Sequence, residues 1–408
     1  MAGNILIFSE EYIKITKGMF VVWVNHVLEV SKRNHVDILL NHEHWAFGEV
    51  KEAFQDNKQV AVHNLPFNMP STLLKRVLTS GNSVCLFRAV IFVLGRLLNF
   101  ALSPLIVFYL IVRLRQIQPS AVFSHNGGWP AGQLCRWIIY AAVLARVTRR
   151  IIVIHSHPAK STSFFWGVLF LPLRFMQARL MDKCATSIVT VSDSVKVALE
   201  SNVFKSPISR IYNGIQMTQT VHGSQVCCPT LDWHPSALCV GFVGALYFHK
   251  GPHVLLDAFR LVTVPCELAL LGPPDPHYLQ ILKQKAQLCA NKVSFLGFHQ
   301  NVDSFMQKID LLVVPSVAFE SFGMVILEAM KQKKSVICSD FGGMKEVVEH
   351  GVTGLVVAAG DELALAKAIT KLLVDADLRL RMGDAGYWRL NELFTSEKMT
   401  AQYYELLD

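Results

Sequence analysis

The chain has 408 residues, of which 52% are hydrophobic; this exceeds the usual size of one domain and supplies enough apolar material for two cores. Its nine cysteines are odd in number and none are spaced as CxxC, which argues against a disulfide framework and against a zinc site. We therefore expect reduced thiols in a cytosolic setting. The first residues, NILIF, predict a strand and not the basic and then long apolar pattern of a secretory signal.

Short apolar runs rich in β-branched residues alternate with longer helix-like segments along the first half. The runs that predict strands are residues 4–8, 36–40, 120–123, 151–154 and 187–191. The same alternation restarts after residue 235 with the runs ALCVGFVG, CELALLG, VSFLGF, DLLVVPS, SVICSD and TGLVV. Strands covered by helices on both faces have this pattern, so the sequence predicts parallel sheets.

Between the two series, residues 216–235 are polar, lack periodicity and contain one glycine and two prolines, which is typical of a linker. We therefore predict an α/β fold of two Rossmann-like domains that face each other across a cleft. The first spans residues 1–215 and the second 236–390, with residues 391–408 as a C-terminal segment. In open α/β sheets ligands bind beyond the carboxyl ends of the strands, so functional residues are expected there.

Positive charge is concentrated in the first half. Residues 1–215 carry 23 Lys and Arg against 11 Asp and Glu (net +12), whereas the remainder carries 16 against 20 (net −4). No acidic residue lies between Asp56 and Asp182, where there are 14 Lys and Arg. Such a region indicates an anionic partner, and both nucleic acid and the anionic inner leaflet of a membrane have that charge.

Apolar bulk accompanies this charge at residues 97–112 and 164–173, which favours a membrane interface over nucleic acid. Three interpretations stay open. The stretches are buried helices of a large core, or a monotopic attachment with arginines at phosphate headgroups, or a true membrane span, which needs about 20 apolar residues. The arginines in question are Arg88, Arg96, Arg113 and Arg115.

The segment FESFGMVILEAM, residues 319–330, follows a predicted buried strand and predicts a loop and then a helix over 322–334. Gly323 permits close backbone approach, and the free N–H groups of a helix start attract an anion such as phosphate. Glu320 precedes the helix, and from its first turn to Glu328 is about 9 Å at 1.5 Å per residue, which approximates a pyrophosphate with a sugar on each side. The alternative is structural, with Glu320 capping the helix and Glu328 paired with Lys331 or Lys333.

The same segment resembles the E-x7-E signature of retaining GT-B glycosyltransferases, specifically glycosyltransferase family 4. The resemblance continues in GGMKEVVEHGVTGLVV (342–357), VGALYFHKGPHVLLDAF (243–259), LLGPPDPHYLQIL and VSFLGF. In the first half, IIVIHSHP, IVTVSDSVK and ISRIYNGI are similar to family segments. The match is strong over 236–357 and loose over 1–150. It implies that the second domain binds a nucleotide sugar, that the first binds the acceptor, and that FTSEKMTAQYYELL forms a helix crossing back to the first domain.

The resemblance also implies roles for individual residues. Glu320 would contact hydroxyls of the donor sugar, and Glu328 would contact the ribose. Lys250 would neutralise charge on the leaving diphosphate, and His155 would lie near the sugar and the acceptor. The other positions expected to bind the donor, mainly through the backbone, are Gly18, Phe298, Phe322, Gly323, Met324 and Val325.

Two positions depart from the family pattern. Ala245 stands where members commonly have an arginine, so one of two expected cations on the diphosphate is missing. His249, or an arginine from elsewhere, could compensate. In the first loop, Lys17 and Gly18 replace a glycine pair. His155 as a structural histidine and Lys250 as an ordinary surface lysine both stay open as alternatives.

We predict no metal and no cofactor other than the nucleotide diphosphate sugar as co-substrate. The segment NHEHW (41–45) has two histidines around a glutamate but no further ligands nearby in sequence. NGGWPAG (126–132) has the wrong spacing for GxGxxG, which argues against dinucleotide redox chemistry.

The sequence therefore predicts a retaining, hexosyltransferase-type glycosyltransferase that acts in surface polysaccharide, lipopolysaccharide or glycolipid synthesis. The expected partners are a nucleotide sugar, a carbohydrate or lipid-linked acceptor and an anionic membrane surface, without nucleic acid. The expected location is cytoplasmic and peripheral on the inner face of the membrane. Two alternatives remain: a non-catalytic GT-B protein that binds a sugar nucleotide, and a nucleotide-sugar epimerase of the same fold.

Overall fold

A computed structural model describes residues 4–9, 17–40, 47–66, 85–129, 132–156, 171–200, 204–217, 237–299, 301–318 and 320–408. The chain divides into two compact units. Unit 1 comprises Met1–Thr190, Lys196–Arg210 and Tyr403–Asp408, and unit 2 comprises Val191–Val195 and Ile211–Gln402. All but the first two residues of the predicted linker, 216–235, lie outside the described residues.

Unit 1 contains a sheet of seven parallel strands in the order β3-β2-β1-β4-β5-β6-β7. The strands are β1 Asn4–Ser9, β2 His35–Leu40, β3 Val60–Asn64, β4 Ala121–Asn126, β5 Arg149–Ile154, β6 Ser187–Thr190 and β7 Ile208–Arg210. The helices that follow these strands are α1 Lys17–Ser31, α2 Phe47–Phe54, α3 Cys85–Ile117, α4 Gln133–Leu144, α5 Leu171–Cys184 and α6 Asp193–Glu200.

Unit 2 contains a sheet of six parallel strands in the order β10-β9-β8-β11-β12-β13. The strands are β8 Leu238–Val243, β9 Cys266–Leu271, β10 Lys292–Gly297, β11 Leu311–Val314, β12 Ser335–Ser339 and β13 Gly354–Val357. A 3-10 turn spans Phe248–Lys250. The helices are α7 Pro252–Phe259, α8 Pro276–Ala286, α9 Val302–Lys308, α10 Met324–Lys331, α11 Met344–Val347, α12 Glu362–Val374, α13 Ala376–Leu393 and α14 Ser396–Glu405.

Every strand predicted from an apolar run is present. Burial explains most of these runs: the residues of β9, β11 and β12, for example, are all buried, whereas the edge strand β10 is only partly buried. Two edge strands were not predicted: β7, which has three residues, and β3. Strand β3 lies at the edge of its sheet, is only partly buried, and contains His63 and Asn64, so it lacks the continuous apolar run that marks the central strands.

Both sheets reverse their strand order at one point. In unit 1 the order reverses between β1 and β4, and in unit 2 between β8 and β11. In each case two adjacent parallel strands send their following segments to opposite sides, which opens a crevice at their carboxyl ends. A ligand site is therefore expected after β8 and β11 in unit 2, and after β1 and β4 in unit 1.

Helix α3 covers the apolar stretch 97–112 and has two different apolar faces. Ile106, Leu110 and Leu114, spaced four residues apart, are buried, and α3 packs against α4. A second set on one face is exposed, although all its members are apolar: Leu98, Leu105, Phe108 and Val112. The interpretation as a buried core helix is thus correct for one face only. Among the helices of the described ranges, none is long and apolar enough to cross a membrane.

Candidate active site

Lys250 and Glu320 form an ion pair at the point where the unit 2 sheet reverses its order. Lys250 ends the 3-10 turn that follows β8, and Glu320 lies in the loop that follows β11. The Nζ of Lys250 donates to Glu320 Oε2, and the two side chains are 29% and 21% exposed. Two of the predicted site residues, 70 positions apart in sequence, are therefore in direct contact.

The backbone of the two loops holds this pair together. The amides of Val317 and Ala318 both donate to the carbonyl of His249, at 3.0 and 3.3 Å. Gly251 has φ +71°, and a Cβ there would lie 1.9 Å from the carbonyl oxygen of Pro315. Only glycine fits both the backbone conformation and this contact, so the turn that carries Lys250 can lie directly against the end of β11.

Gly342 and Gly343, the glycine pair after β12, support the Glu320 loop from the other side. The amide of Gly343 donates to the carbonyl of Glu320 at 2.8 Å. A Cβ at Gly342 would lie 2.0 Å from that same oxygen, and one at Gly343 would lie 2.2 Å from the carbonyl oxygen of Ser321. The glycine pair thus leaves space for the Glu320 backbone and fixes its position.

Helix α10 begins at Met324, two residues later than predicted. Gly323, with φ +90°, occupies the N-cap position, and no side chain caps the helix. The left-handed conformation of Gly323 is the physical reason for the late start. Met324 and Val325 are therefore in the first turn, whereas Phe322 and Gly323 precede it. The Phe322 side chain is buried against the rings of Tyr212 and Phe394, which leaves its backbone as the part available to a ligand.

The alternative in which Glu320 caps α10 is wrong, because its carboxylate pairs with Lys250 instead. Glu328 lies on α10 and is partly buried. The two lysines suggested as its partners form other ion pairs: Lys331 with Asp303 at 3.8 Å and Lys333 with Asp384 at 3.0 Å. The role of Glu328 at the ribose stays a prediction.

Three glycines end three neighbouring strands beside this pair. Gly244 follows β8, Gly272 follows β9, and Gly297 ends β10. The amide of Gly272 donates to the carbonyl of Gly297 at 2.7 Å, and a Cβ at Gly272 would lie 1.9 Å from the carbonyl oxygen of Gly244. This edge of the sheet is consequently lined by backbone. Phe298, predicted near the base, follows directly and its side chain is 51% exposed.

The suggestion that His249 replaces the missing arginine is weakened by its electrostatics. Burial lowers the pKa of His249, and Lys250 beside it lowers that pKa further, whereas Glu320 opposes the shift. At neutral pH the ring is thus mostly neutral. Lys250 is the cation that the described residues place opposite Glu320, and Ala245 adds no charge.

In unit 1, His155 follows β5 directly and is 7% exposed. Its Nε2 lies 2.9 Å from Nδ1 of His125, the fifth residue of β4. Nδ1 of His26, on α1, lies 3.3 Å from Nε2 of His125. The sequence indicated His155 alone. His125 could have been found from its place near the carboxyl end of a predicted strand, whereas His26 had no such signal. Gly18, predicted near the phosphates, is the second residue of α1.

No group of three or more His, Cys, Asp or Glu in the described ranges is arranged to hold a metal ion. The NHEHW segment lies outside those ranges, and so does His157. The absence of a metal in the reaction stays a prediction.

Comparison with known proteins agrees with this arrangement. Residues 234–389 match the family model of glycosyl transferases group 1. N-acetyl-alpha-D-glucosaminyl L-malate synthase of Bacillus anthracis is 36% identical over 152 residues, which cover 36% of this chain and 39% of that protein. The capsular polysaccharide biosynthesis glycosyltransferase CapM of Staphylococcus aureus is 26% identical over 298 residues, 67% of this chain and 73% of that protein.

Among solved structures, Anabaena Alr3699/HepE in complex with UDP superposes with a TM-score of 0.72 at 22% identity, covering 99% of each chain. The fold is GT-B. The predicted fold class of two Rossmann-like sheets is thus confirmed. The sequence match covers less of the chain than the structural match does. The chain spans about two fifths of the length of the first curated relatives it matches.

Proposed function

We propose that this chain is a retaining glycosyltransferase, of the family 4 type, that moves a hexosyl group from a nucleotide diphosphate sugar to an acceptor. The observation that carries the proposal is the contact between Lys250 and Glu320 at the strand-order reversal of unit 2, beside the glycine-led start of α10. The family match over residues 234–389, which includes both residues, supports it.

The ion pair explains how one site could bind both a charged diphosphate and the hydroxyls of a sugar. Because both side chains are partly exposed, their pairing contributes at most about 1 kcal/mol. An arriving diphosphate carries more negative charge than one carboxylate and can take Lys250 as its partner. Glu320 is then free to accept hydrogen bonds from sugar hydroxyls. The same binding event therefore prepares both residues for their predicted roles.

The chemical step would use these groups on the leaving side. As the bond between the anomeric carbon and the diphosphate oxygen lengthens, negative charge grows on that oxygen. Lys250 and the amides of Met324 and Val325, at the positive end of α10, would stabilise that charge. The acceptor hydroxyl would then attack the oxocarbenium-like carbon from the same face and pass its proton to the departing diphosphate oxygen. Attack from that face gives retention of configuration.

For the donor, we propose a uridine diphosphate sugar as the first candidate, since HepE was solved with UDP and with UDP-glucose. For the acceptor, we propose a carbohydrate or lipid-linked saccharide at an anionic membrane surface. The exposed apolar face of α3, with the exposed Arg115 near its end, supports this choice. The name of the CapM relative is consistent with surface polysaccharide synthesis.

The test has two stages. Thermal shifts with a panel of nucleotides and nucleotide sugars select the donor, because a ligand that binds only the folded state raises Tm. Sugar release from that donor is then followed, and the anomeric configuration of the transfer product is read by NMR. We expect slow hydrolysis without an acceptor and an unchanged anomeric configuration in the product. Inversion would refute the retaining mechanism, and a new sugar isomer on the nucleotide would indicate an epimerase.

A second candidate function is a non-catalytic protein that binds a sugar nucleotide. Ala245 and the lowered pKa of His249 favour it, because they leave Lys250 as the one cation described beside Glu320. Under this alternative the panel gives a thermal shift but no sugar is released, with or without acceptor.

A further inference from the structure

Three buried histidine rings of unit 1 are joined end to end. His26 Nδ1 lies 3.3 Å from His125 Nε2, and His125 Nδ1 lies 2.9 Å from His155 Nε2. The two nitrogens at the ends, His26 Nε2 and His155 Nδ1, are buried and have no hydrogen-bond partner in the described structure. We call this set the histidine chain.

The two ends of the histidine chain have different surroundings. The His26 ring is fully buried and stacks on Tyr403, with ring centroids 4.5 Å apart and planes 27° apart. The Phe123 ring meets the His26 ring edge-to-face, with centroids 5.1 Å apart and planes at 87°, and covers another side of it. His155 follows the carboxyl end of β5, where ligands of such sheets bind. His26 is therefore the inner end, and His155 is the end near a ligand.

All three rings are neutral at neutral pH. Burial lowers the pKa of His155 to about 4. Burial, with the nearby His155, lowers the pKa of His26 to about 3. Burial holds the pKa of His125 well below its ordinary value, and His155 and His26 lower it further. Each ring thus carries a single ring proton, on either Nδ1 or Nε2.

This proton count couples the three tautomers. If His26 donates from Nδ1, then His125 accepts at Nε2 and must carry its own proton on Nδ1. His125 then donates to Nε2 of His155, whose proton must be on Nδ1. The reverse direction requires all three protons on Nε2. Both hydrogen bonds therefore form together only when the three rings share one tautomer.

The positions of the two end rings distinguish the two directions. Each direction leaves one N–H without a partner: at His26 when the protons are on Nε2, and at His155 when they are on Nδ1. A buried N–H without a partner is rarer than an under-satisfied acceptor. The Nδ1 arrangement places the unpaired N–H at His155, which follows the carboxyl end of β5 where a ligand oxygen can accept from it, and leaves only a bare acceptor at His26 in the core.

We propose that His26 and His125 are positioning residues that hold His155 in its Nδ1-protonated tautomer, so that His155 presents a hydrogen-bond donor to a ligand oxygen at the carboxyl edge of the unit 1 sheet. The inference rests on the proposed function only for the identity of that oxygen, a hydroxyl of the donor sugar or of the acceptor. The tautomer itself is a property of the protein without substrate.

The test is long-range ¹H–¹⁵N correlation NMR of the full chain with ¹⁵N-labelled histidine, which shows which ring nitrogen carries the proton. The His26→Gln and His155→Gln variants assign the signals. We expect Nδ1 protonation of His155 at neutral pH in the wild type. His26→Phe keeps the ring contact with Tyr403 but removes the donor, so both tautomers of His155 should be populated. His26→Gln supplies an amide N–H and should keep the Nδ1 form.

His277→Gln is the control, because His277 is an exposed histidine at the start of α8 in unit 2 and should leave the three patterns unchanged. Nε2 protonation of His155 in the wild type overturns the proposal, and this spectrum remains decisive if His26→Phe fails to fold. An identical His155 tautomer in His26→Phe and the wild type overturns it as well.

If the chain is a transferase, His26→Phe should also lower kcat on the order of tenfold with a smaller change in KM, by analogy with the groups that orient metal-ligating histidines. His26→Gln should restore most of that loss. If sugar release is absent from every sample, the proposed function fails, whereas the NMR result still decides the role of His26 and His125.

Discussion

Lys250 and Glu320 neutralise each other across the two loops that follow the neighbouring strands β8 and β11. A nucleotide diphosphate sugar would contact Lys250 with its diphosphate and Glu320 with its sugar hydroxyls. The pair therefore keeps the unliganded site nearly neutral. Under the proposed function it would separate when a diphosphate binds, which makes the two residues distinguishable by mutation.

Lys250→Ala should weaken binding of the nucleoside diphosphate selected by the panel by about 10- to 150-fold, because a charge-assisted hydrogen bond to phosphate contributes about 1.5–3 kcal/mol. Sugar release should fall about 10²-fold or more, since charge develops on the leaving oxygen. Glu320→Gln should lower sugar release similarly but leave binding of the sugar-free diphosphate unchanged or tighter. Calorimetry with the diphosphate and a hydrolysis assay measure the two effects.

Lys285→Ala is the matched control. It breaks the pair of Lys285 Nζ with Asp257 Oδ1 at 2.6 Å in the same unit, whose side chains are 32% and 24% exposed. Neither binding nor hydrolysis should change. Equal loss of diphosphate affinity in Lys250→Ala and Lys285→Ala would contradict the role given to Lys250.

Gly342→Ala should unfold at a lower urea concentration than the wild type and should lose sugar release. Its φ of +62° strains any side chain, and its Cβ would lie 2.0 Å from the Glu320 carbonyl oxygen. Gly360→Ala has a similar φ of +81° with open space around the Cβ, and strain alone costs about 1–2 kcal/mol. The loss at Gly342 should exceed that at Gly360, and only Gly342→Ala should impair the reaction. Equal losses would mean that the contact with Glu320 can relax.

Ala245→Arg should lower the KM for the donor about tenfold if the missing cation limits diphosphate binding, in line with one added charge-assisted contact. Ala245→Gln supplies a long polar side chain without charge and serves as the control. A gain that is equal in both variants, or absent in both, would show that charge at this position does not limit binding. Initial rates over a range of donor concentrations give the comparison.

Acid should destabilise unit 1 through the histidine chain. The folded-state pKa values of His26 and His155, about 3 and about 4, lie below the ordinary value of 6.5, so the unfolded chain binds these protons first. Their stabilising effect is complete above about pH 6.5 and is lost progressively as the pH falls toward the folded-state values. Each ring contributes about 1.4 kcal/mol per pH unit in that window.

Urea unfolding at a series of pH values between 7 and 5 measures this loss. Other groups also titrate in that range, so the difference between the wild type and His26→Phe isolates the ring. The free energy of unfolding of His26→Phe should fall less steeply with acid. Parallel curves would mean that the His26 ring is protonated in the folded state at higher pH than its burial implies.

Leu105→Ser combined with Phe108→Ser should reduce co-sedimentation with anionic vesicles at low salt, because these side chains are 67% and 65% exposed on the apolar face of α3. Leu363→Ser, at a position 60% exposed in unit 2, is the control and should bind as the wild type does. Binding should also weaken at high salt, where charge attraction is screened. A wild-type protein that stays in solution at low salt would refute the membrane hypothesis.

Most strands of both sheets could be predicted from sequence because burial imposes continuous apolar runs. The edge strands β3 and β7 could not, since β3 is only partly buried and β7 has only three residues. The start of α10 was placed too early because Gly323 is compatible with a helix, and only its left-handed φ, set by the surrounding loop, excludes it.

Both members of the Lys250–Glu320 pair were indicated by motifs, yet their contact was not. It depends on Gly251 and Gly342 bringing two distant loops together, and sequence spacing does not encode that distance. The histidine chain is the stronger case. Its members come from α1, β4 and the end of β5, and only the order of strands in the sheet makes them neighbours.

The two sheets share one strand order around their reversal points, so β4 in unit 1 and β11 in unit 2 occupy equivalent positions. Beside the carboxyl ends of β8 and β11 the chain has a lysine and a carboxylate; at the carboxyl end of β4 it has imidazoles that burial keeps uncharged. The equivalent positions of the two sheets therefore differ in charge: an ion pair lies at one and uncharged imidazoles lie at the other. Under the proposed function, unit 2 would bind groups whose charge changes and unit 1 groups that stay uncharged, and mutations in the two units should reveal these roles separately.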